Sequence, residues 1–481
     1  MEKGGANMAE ERMSRRGFLK GAAGTAVAGL GASVLARRAS AQTRTLTIWH
    51  TEPSEIAVKA VQKVADQFEH LHPGVKVIQQ GIGWDSLGPK LYTGLAAGNP
   101  PDISQIQPYH FRSFQAKGVL VPIDDVYQAI GPNDIVEIAR DMTLLDNHRW
   151  GISHEVGTPC LMIRRDIAEG AGFKVPEDVA KPMFKTWVEQ IDYLKAVSKP
   201  DKRQWGMSLP GTGYFLQEHA GRWTGSNGGS FYDSNWNPAF HKEPYIQVLE
   251  FIKTLADKKL VPPDWLSQTW LGMIVEFSTG ITTMIDHGYG RIANSIAQYA
   301  PAKASEEYFY PVWRPVGPHG KTPYTDLDCE LWVVFSQSKN QELAKEWLKL
   351  FFTPDLYLNY ISTYPVHMLP ITKSLRNNPA YKALPALKQW AHWVRQQEIY
   401  IDQNQAMPVG VYHPATNIRI PFLAEVFDSG IMADEIVGMA QGRRSVKDAA
   451  QRTTDRVADL IKKLGYPYPD PIRWEKQRKA G

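Results

Sequence analysis

The chain has 481 residues, 43% of them hydrophobic and 22% charged, which is enough for two domains of ordinary size with real cores. Two cysteines are too few for a disulfide scaffold or for a cluster held by four protein thiolates. The formal net charge of +4 belongs to the first 41 residues, which carry seven of the 54 Lys and Arg and three of the 50 Asp and Glu; the balanced remainder excludes a nucleic-acid footprint or a polybasic membrane anchor.

In chain order, Ser14-Arg15-Arg16-Gly17-Phe18-Leu19-Lys20 is followed by a weakly apolar, Gly- and Ala-rich run from Gly21 to Ala36 and then by Ala39-Ser40-Ala41. This arrangement reads as a twin-arginine export signal with an A-x-A cleavage site, so residues 1–41 form a leader and the exported protein is periplasmic. The run is too short and too weakly apolar to stay in a bilayer.

Leu46 to Trp49 then reads as a strand. Ile56, Ala60, Val64, Phe68 and Leu71 recur at helical spacing up to His72-Pro73-Gly74, and Val75-Lys76-Val77 begins a second strand. Such a strand, helix, strand unit crosses over into a parallel sheet. A second helix is expected from Leu87 to Ala97 and a third strand at Asp102-Ile103. Gly206 to Pro238, rich in Gly, Ser, Asn and aromatics without a sustained period, reads as loops and short elements. Leu331 to Phe335 is a continuous apolar strand, entering a helix capped by Asn340 with Leu343, Trp347 and Phe351 on one face.

Several of these segments, taken in order, resemble the family 1 extracellular solute-binding proteins of ABC importers, of the maltodextrin-binding type. They are the strand Leu46 to His50, the helix exit Phe68 to Val77, the turn Gly98-Asn99-Pro100-Pro101-Asp102-Ile103 and the stretch Phe114 to Asp124. Further along come Trp150-Gly151-Ile152, Ile163-Arg164-Arg165-Asp166, Phe277 to Met284 and Lys339 to Phe352. His287-Gly288-Tyr289-Gly290 and Asp328-Cys329-Glu330 depart from the family's pattern where it touches ligand. The resemblance implies an α/β, two-lobed type II periplasmic-binding fold, each lobe a mainly parallel sheet flanked by helices, joined by hinge strands. It places residues 42–157 and 329–385 in lobe 1 and residues 158–328 and 386–481 in lobe 2. It also implies hinge closure around a solute, expected to be a sugar or oligosaccharide, which a monomeric protein delivers to membrane permease subunits.

Ligands of open α/β sheets lie outside the carboxyl ends of strands. By that rule the resemblance points to Glu52 and Ser54 after the first strand, Gln107, Tyr109 and His110 after the third, and Glu155, Gly157 and Thr158 at the first crossover. Thr212, Tyr214, Asp286 and Tyr289 come from the second lobe, Asp328 and Glu330 from the return crossover, and Trp84 offers a stacking face. Carboxylates and amides bond vicinal hydroxyls while aromatic rings cover the apolar face of a sugar. Each has an ordinary alternative, a core aromatic or a surface or capping acid, and that alternative is the preferred reading for Trp49, Asp102, His110 and His367.

Two rival classes remain open. One is a binding protein for an alditol, phosphodiester, peptide or metal complex, for which Arg222, Arg291 and Arg419 would be anion partners. The other is an exported glycoside-active enzyme. Gly288-Tyr289-Gly290-Arg291-Ile292-Ala293 fits a loose dinucleotide pattern far from the first strand-helix unit, and no zinc-protease, hydrolase-elbow or P-loop motif is present, so neither a cofactor nor a metal is expected. The resemblance places Cys160 and Cys329 near each other at the hinge. Replacing Arg15 and Arg16 together by Lys is expected to block export; normal accumulation of that variant in a periplasmic extract would exclude the twin-arginine reading.

Overall fold

A computed structural model describes residues 43–51, 54–211, 213–408 and 420–466. The leader lies outside the described residues, and no helix among them is long and apolar enough to cross a membrane.

Five strands make the first sheet: β1 (Arg44–His50), β2 (Val75–Gly81), β3 (Ile103–Ile106), β4 (Ile152–Ser153) and, from much later in the chain, Leu331–Val334. The order is β2, β1, β3, Leu331–Val334, β4. β1 runs parallel to both β2 and β3, as the strand, helix, strand reading requires. The late strand is antiparallel to β3 and to β4, because it enters the sheet from the opposite end. The helix Glu55–Leu71 packs on this sheet through Ala57, Ala60, Val61, Val64, Ala65 and Phe68. Ile56 and Leu71, expected on that face, lie exposed at its margins. The next helix begins at Trp84, one turn before Leu87.

The second sheet holds β5 (Cys160–Arg164) between β6 (Met284–Gly288) and β7 (Phe309–Val312), and both pairings are antiparallel. This corrects the expectation of a mainly parallel sheet here. Parallel pairing occurs beside it, in single bridges from Trp205 to Thr282 and from Ser208 to Ile285. The helix Ala391–Asp402 packs on β5 and β7, and the helix Val446–Lys463 on the helix Glu243–Asp257. A short strand β8 (Thr325–Leu327) precedes the late strand, now β9 (Leu331–Val334).

The region expected to be loops contains the helix Gly213–Ser226. Every residue from Leu216 to Ser226 is buried, so no polar face marks a period in the sequence.

The two sheets are linked by three backbones lying side by side. Gly157 and Asp328 exchange both backbone hydrogen bonds, at 2.9 and 2.8 Å, and Val156 and Leu369 do the same at 3.0 and 3.2 Å. Cys160 and Cys329 flank this junction as free, buried thiols; Cys329 Sγ contacts Met142 Sδ and Leu327 O, each at 3.4 Å. A β-carbon on Gly157 would stand 2.5 Å from His367 O, which is what restricts the position to glycine. Gly157→Ala is therefore expected to cost about 1–3 kcal/mol and several degrees in Tm. Gly170→Ala, with open space around its β-carbon, should leave thermal unfolding nearly unchanged.

Candidate functional site

Two cavities open between the helix Gly213–Ser226 and the carboxyl ends of the first sheet's strands. The inner one, of about 40 Å³, is walled by Gln107, Tyr214, Phe215, Glu218, Trp270, His287, Tyr289, Arg291, Asp328, Glu330 and His367. The outer one, of about 210 Å³, is walled by Leu87 to Pro89, Tyr109, His110, Gly213, Tyr214, Gln217, Phe427, Asp428 and Gly430. Tyr214 stands in both.

Of the residues selected from sequence, Gln107, Tyr214, Tyr289, Asp328 and Glu330 line the inner cavity and Tyr109 the outer. Gln107 occupies the N-cap position of the helix Pro108–Ala116, and its buried Oε1 has no hydrogen-bond partner. Ser54 lines neither cavity, and Tyr364 donates to its Oγ at 2.6 Å. Glu155 and Thr158 are buried in the junction behind the wall. Asp286 is not brought to the cavity: its carboxylate accepts from Arg314 Nη2 at 2.5 Å and from Trp223 Nε1 at 2.6 Å. Glu52, Thr212 and the Trp84 side chain lie outside the described residues, as does Arg419.

Sequence reasoning missed Phe215, Glu218, Trp270 and His287. Glu218 lies one helical turn after Tyr214 on the same helix, a signal that would have paired them had the helix been expected. His110 and His367 reach the cavities despite their structural reading. Asp102 is structural, as expected: Thr47 N and Oγ1 donate to its Oδ2 at 2.7 and 2.9 Å, and Ser338 Oγ to its Oδ1 at 2.5 Å. The loose dinucleotide glycines also have structural reasons. Added β-carbons would strike Cys160 O at Gly288 and the Val366-His367 backbone at Gly290.

The profile of the family described as bacterial extracellular solute-binding protein matches residues 52–356. The chain belongs to that family. A mannitol-binding protein of Pseudomonas aeruginosa is 24% identical over 224 residues, 46% of this chain and half the length of that relative. An ABC transporter solute-binding protein of Agrobacterium vitis with bound D-mannitol superposes with TM-score 0.72 at 20% identity, over 88% of this chain and all of that one. One from Thermotoga lettingae with bound alpha-D-tagatose gives 0.71 at 18% identity, over 87% and all of that chain. These likenesses establish the type II periplasmic-binding fold.

In this solute-binding protein the floor of the site is heavily charged and closed to water. Arg291 Nη2 approaches Glu330 Oε1 at 3.5 Å and Glu155 Oε1 at 3.9 Å. His154 Nε2 lies 3.7 Å from Glu155 Oε1 and 3.6 Å from Glu330 Oε2. Burial, helped by Arg291, pushes the His154 imidazole down to about 3, and burial likewise holds His287 and His367 well below their usual range. Burial, reinforced by Asp326, pushes the Glu218 carboxyl well above its usual range, against the pull of Arg222. His287 accepts from Trp270 Nε1 at 2.7 Å through Nε2, which places its own proton on Nδ1, 3.7 Å from Glu218 Oε2. The wall thus offers uncharged donors and acceptors beside charged ones.

The depressed imidazoles set a pH dependence. Above pH 6.5 neither the folded nor the unfolded chain protonates them; below it the unfolded chain takes up protons that the fold refuses, down to about 3 for His154 and, through burial and Arg222, for His219. Stability is therefore expected to fall as pH falls from 7 towards 4, by about 1.4 kcal/mol per pH unit for each imidazole once well below 6.5. Urea unfolding at pH 7.5, 6 and 5 measures it, and a flat profile would mean that the buried rings are charged in the fold.

Proposed function

We propose that this chain is the solute-capturing component of an ABC importer and that it takes a single polyol unit, an alditol or a monosaccharide, into the inner cavity. Lobe 1 would comprise residues 42–157 and 329–385, and lobe 2 residues 158–328 and 386–481, with the Gly157/Asp328 junction as hinge. The observation that carries this reading is the composition of the inner wall. Phe215 stacks on Trp270 with centroids 5.7 Å apart, and Tyr214 and Tyr289 add further ring faces. Facing them are Gln107, Glu218, Arg291, Asp328, Glu330 and His367, groups able to bond two hydroxyls each or to donate and accept at one site. Apolar C–H faces and vicinal hydroxyls on one small molecule match that pairing.

Size supports a short ligand. A cavity of about 40 Å³ holds roughly two or three waters, so the lobes must part to admit even a hexitol and close on it afterwards. D-mannitol and alpha-D-tagatose, bound in the two structural relatives, are of this class. Export through the twin-arginine route to the periplasm, action as a monomer, delivery to permease subunits and release of the solute without turnover belong to the same reading.

A thermal-shift screen of the exported protein against pentitols, hexitols, hexoses and disaccharides tests it, since a ligand at 100-fold its Kd adds about 2.7 kcal/mol. With the ligand found, Gln107→Ala and Tyr214→Ala are each expected to weaken binding at least tenfold while the ligand-free Tm moves little. Early unfolding with affinity intact would return both residues to the packing, and hydrolysis of aryl glycosides would favour an enzyme.

A further inference from the structure

Behind the inner cavity, side chains from three separated stretches of chain converge at the junction of the two sheets. Glu155, Asp328 and His367 each present one ligand atom, and the three atoms lie within 4.8 Å of one another. His367 Nε2 stands 3.2 Å from Asp328 Oδ2 and 3.7 Å from Glu155 Oε1. For metal–ligand bonds of about 2.1 Å, the edge of a tetrahedron is about 3.4 Å, and the two separations from His367 are close to that spacing. We propose that Glu155, Asp328 and His367 form a divalent transition-metal site, of the zinc or manganese type, at the floor of the cleft.

The second observation is His367 itself. Its side chain is 1% exposed and lines the inner cavity, yet neither Nδ1 nor Nε2 has a hydrogen-bond partner. Its backbone is brought in close by two glycines, since β-carbons on Gly157 and Gly290 would lie 2.5 Å from His367 O and 2.3 Å from His367 N. A neighbouring triad, His154, Glu155 and Glu330, also meets the distance condition, but two of its members, His154 and Glu330, are engaged elsewhere. Thr51 Oγ1 donates to Glu330 Oε2 at 3.3 Å, Arg291 reaches Glu330 Oε1 at 3.5 Å, and Gln105 and Tyr360 contact the His154 ring. Two carboxylates and one neutral imidazole around a divalent ion sum to zero charge, and the nearby Arg291, 3.9 Å from Glu155 Oε1, is balanced by Glu330 at 3.5 Å. Asp328 and His367 line the cavity and Glu155 does not, so the remaining coordination position faces the solute space. A vicinal diol chelates an ion in that position; this last step rests on the polyol reading, whereas the metal site does not.

The exported protein, stripped with EDTA and freed of chelator, is titrated with zinc chloride by calorimetry in the absence of any carbohydrate. One equivalent is expected to bind with micromolar or tighter Kd. His367→Gln and Asp328→Asn should each weaken it at least tenfold, and His392→Gln, at an exposed ring paired with Glu306, should leave it within about twofold. No uptake, or undiminished uptake by the His367→Gln, Asp328→Asn double variant, overturns the site. X-ray absorption on the zinc-loaded unmodified protein needs no variant to fold: one imidazole with oxygen ligands is expected, and none or two overturns the assignment. Because the titration contains no carbohydrate, an empty carbohydrate screen leaves its result standing, and failure to bind zinc leaves the screen standing.

Discussion

The hydrogen-bonded pair of Gly157 and Asp328 is the constraint on which the rest of the site depends. A chain that crosses from one sheet to the other and back must bring its two crossovers together somewhere, and here they meet through two backbone bonds at a residue without a side chain. Glu155 lies two residues before that meeting point, and Asp326 and Glu330 two residues either side of its other strand. The third backbone, 366–369, fits against it because Gly157 and Gly290 have no β-carbon to keep it away. Side chains distant in sequence are thereby held within a few ångströms on backbone that is fully bonded, which is the preorganisation a binding site needs.

Behind the cavity wall a second layer of charge fixes the first. Arg314 is bound by Asp286 and Arg222 by Asp326, all four nearly or fully buried. Arg222 Nη2 also donates to Asp286 O at 2.8 Å, and Tyr289 OH to Asp326 Oδ2 at 3.4 Å, so a ring of the inner wall is anchored on this layer. Buried pairs of this kind add little net stability over a well-packed apolar core, but removing one partner costs about 3–5 kcal/mol. Their value here is positional. Burial pushes the Asp286 carboxyl up and its two arginines pull it back below the usual range, which keeps it ionised as an anchor rather than available to a solute.

The first sheet was legible because the helix packed on it carries its period in the sequence, as at Val64 and Phe68, and because its buried strand Leu331–Val334 is a continuous apolar run. The second lobe was not: its helix Gly213–Ser226 is buried on all sides, and its sheet is antiparallel, so neither amphipathic period nor strand-helix alternation marks it. The strand-end rule found Gln107, Tyr289, Asp328 and Glu330, because those residues do follow or adjoin strand ends. It also selected Asp286, which sits within β6 and points to the arginines, and it passed over His367, whose approach is created by glycines more than 70 residues away. Local spacing encodes where a strand ends and not which distant backbone will be admitted beside it.

Closure of the outer cavity draws on contacts of its own. Asp428, at the end of the helix Leu423–Asp428, faces donors from across the cavity: His110 Nε2 at 3.0 Å and the hydroxyls of Tyr92 and Tyr109, each at 3.3 Å. Beside it, Glu425 accepts from Ser113 Oγ and Lys117 Nζ of the opposing helix at 2.9 and 2.5 Å. These bonds form whenever that helix meets the Pro108–Ala116 helix, whatever lies in the inner cavity. A closed state already favoured by such contacts lowers the conformational part of the cost of binding, and it also narrows the time in which solute can enter. The groups that join these two helices are thus not the groups that line the inner wall.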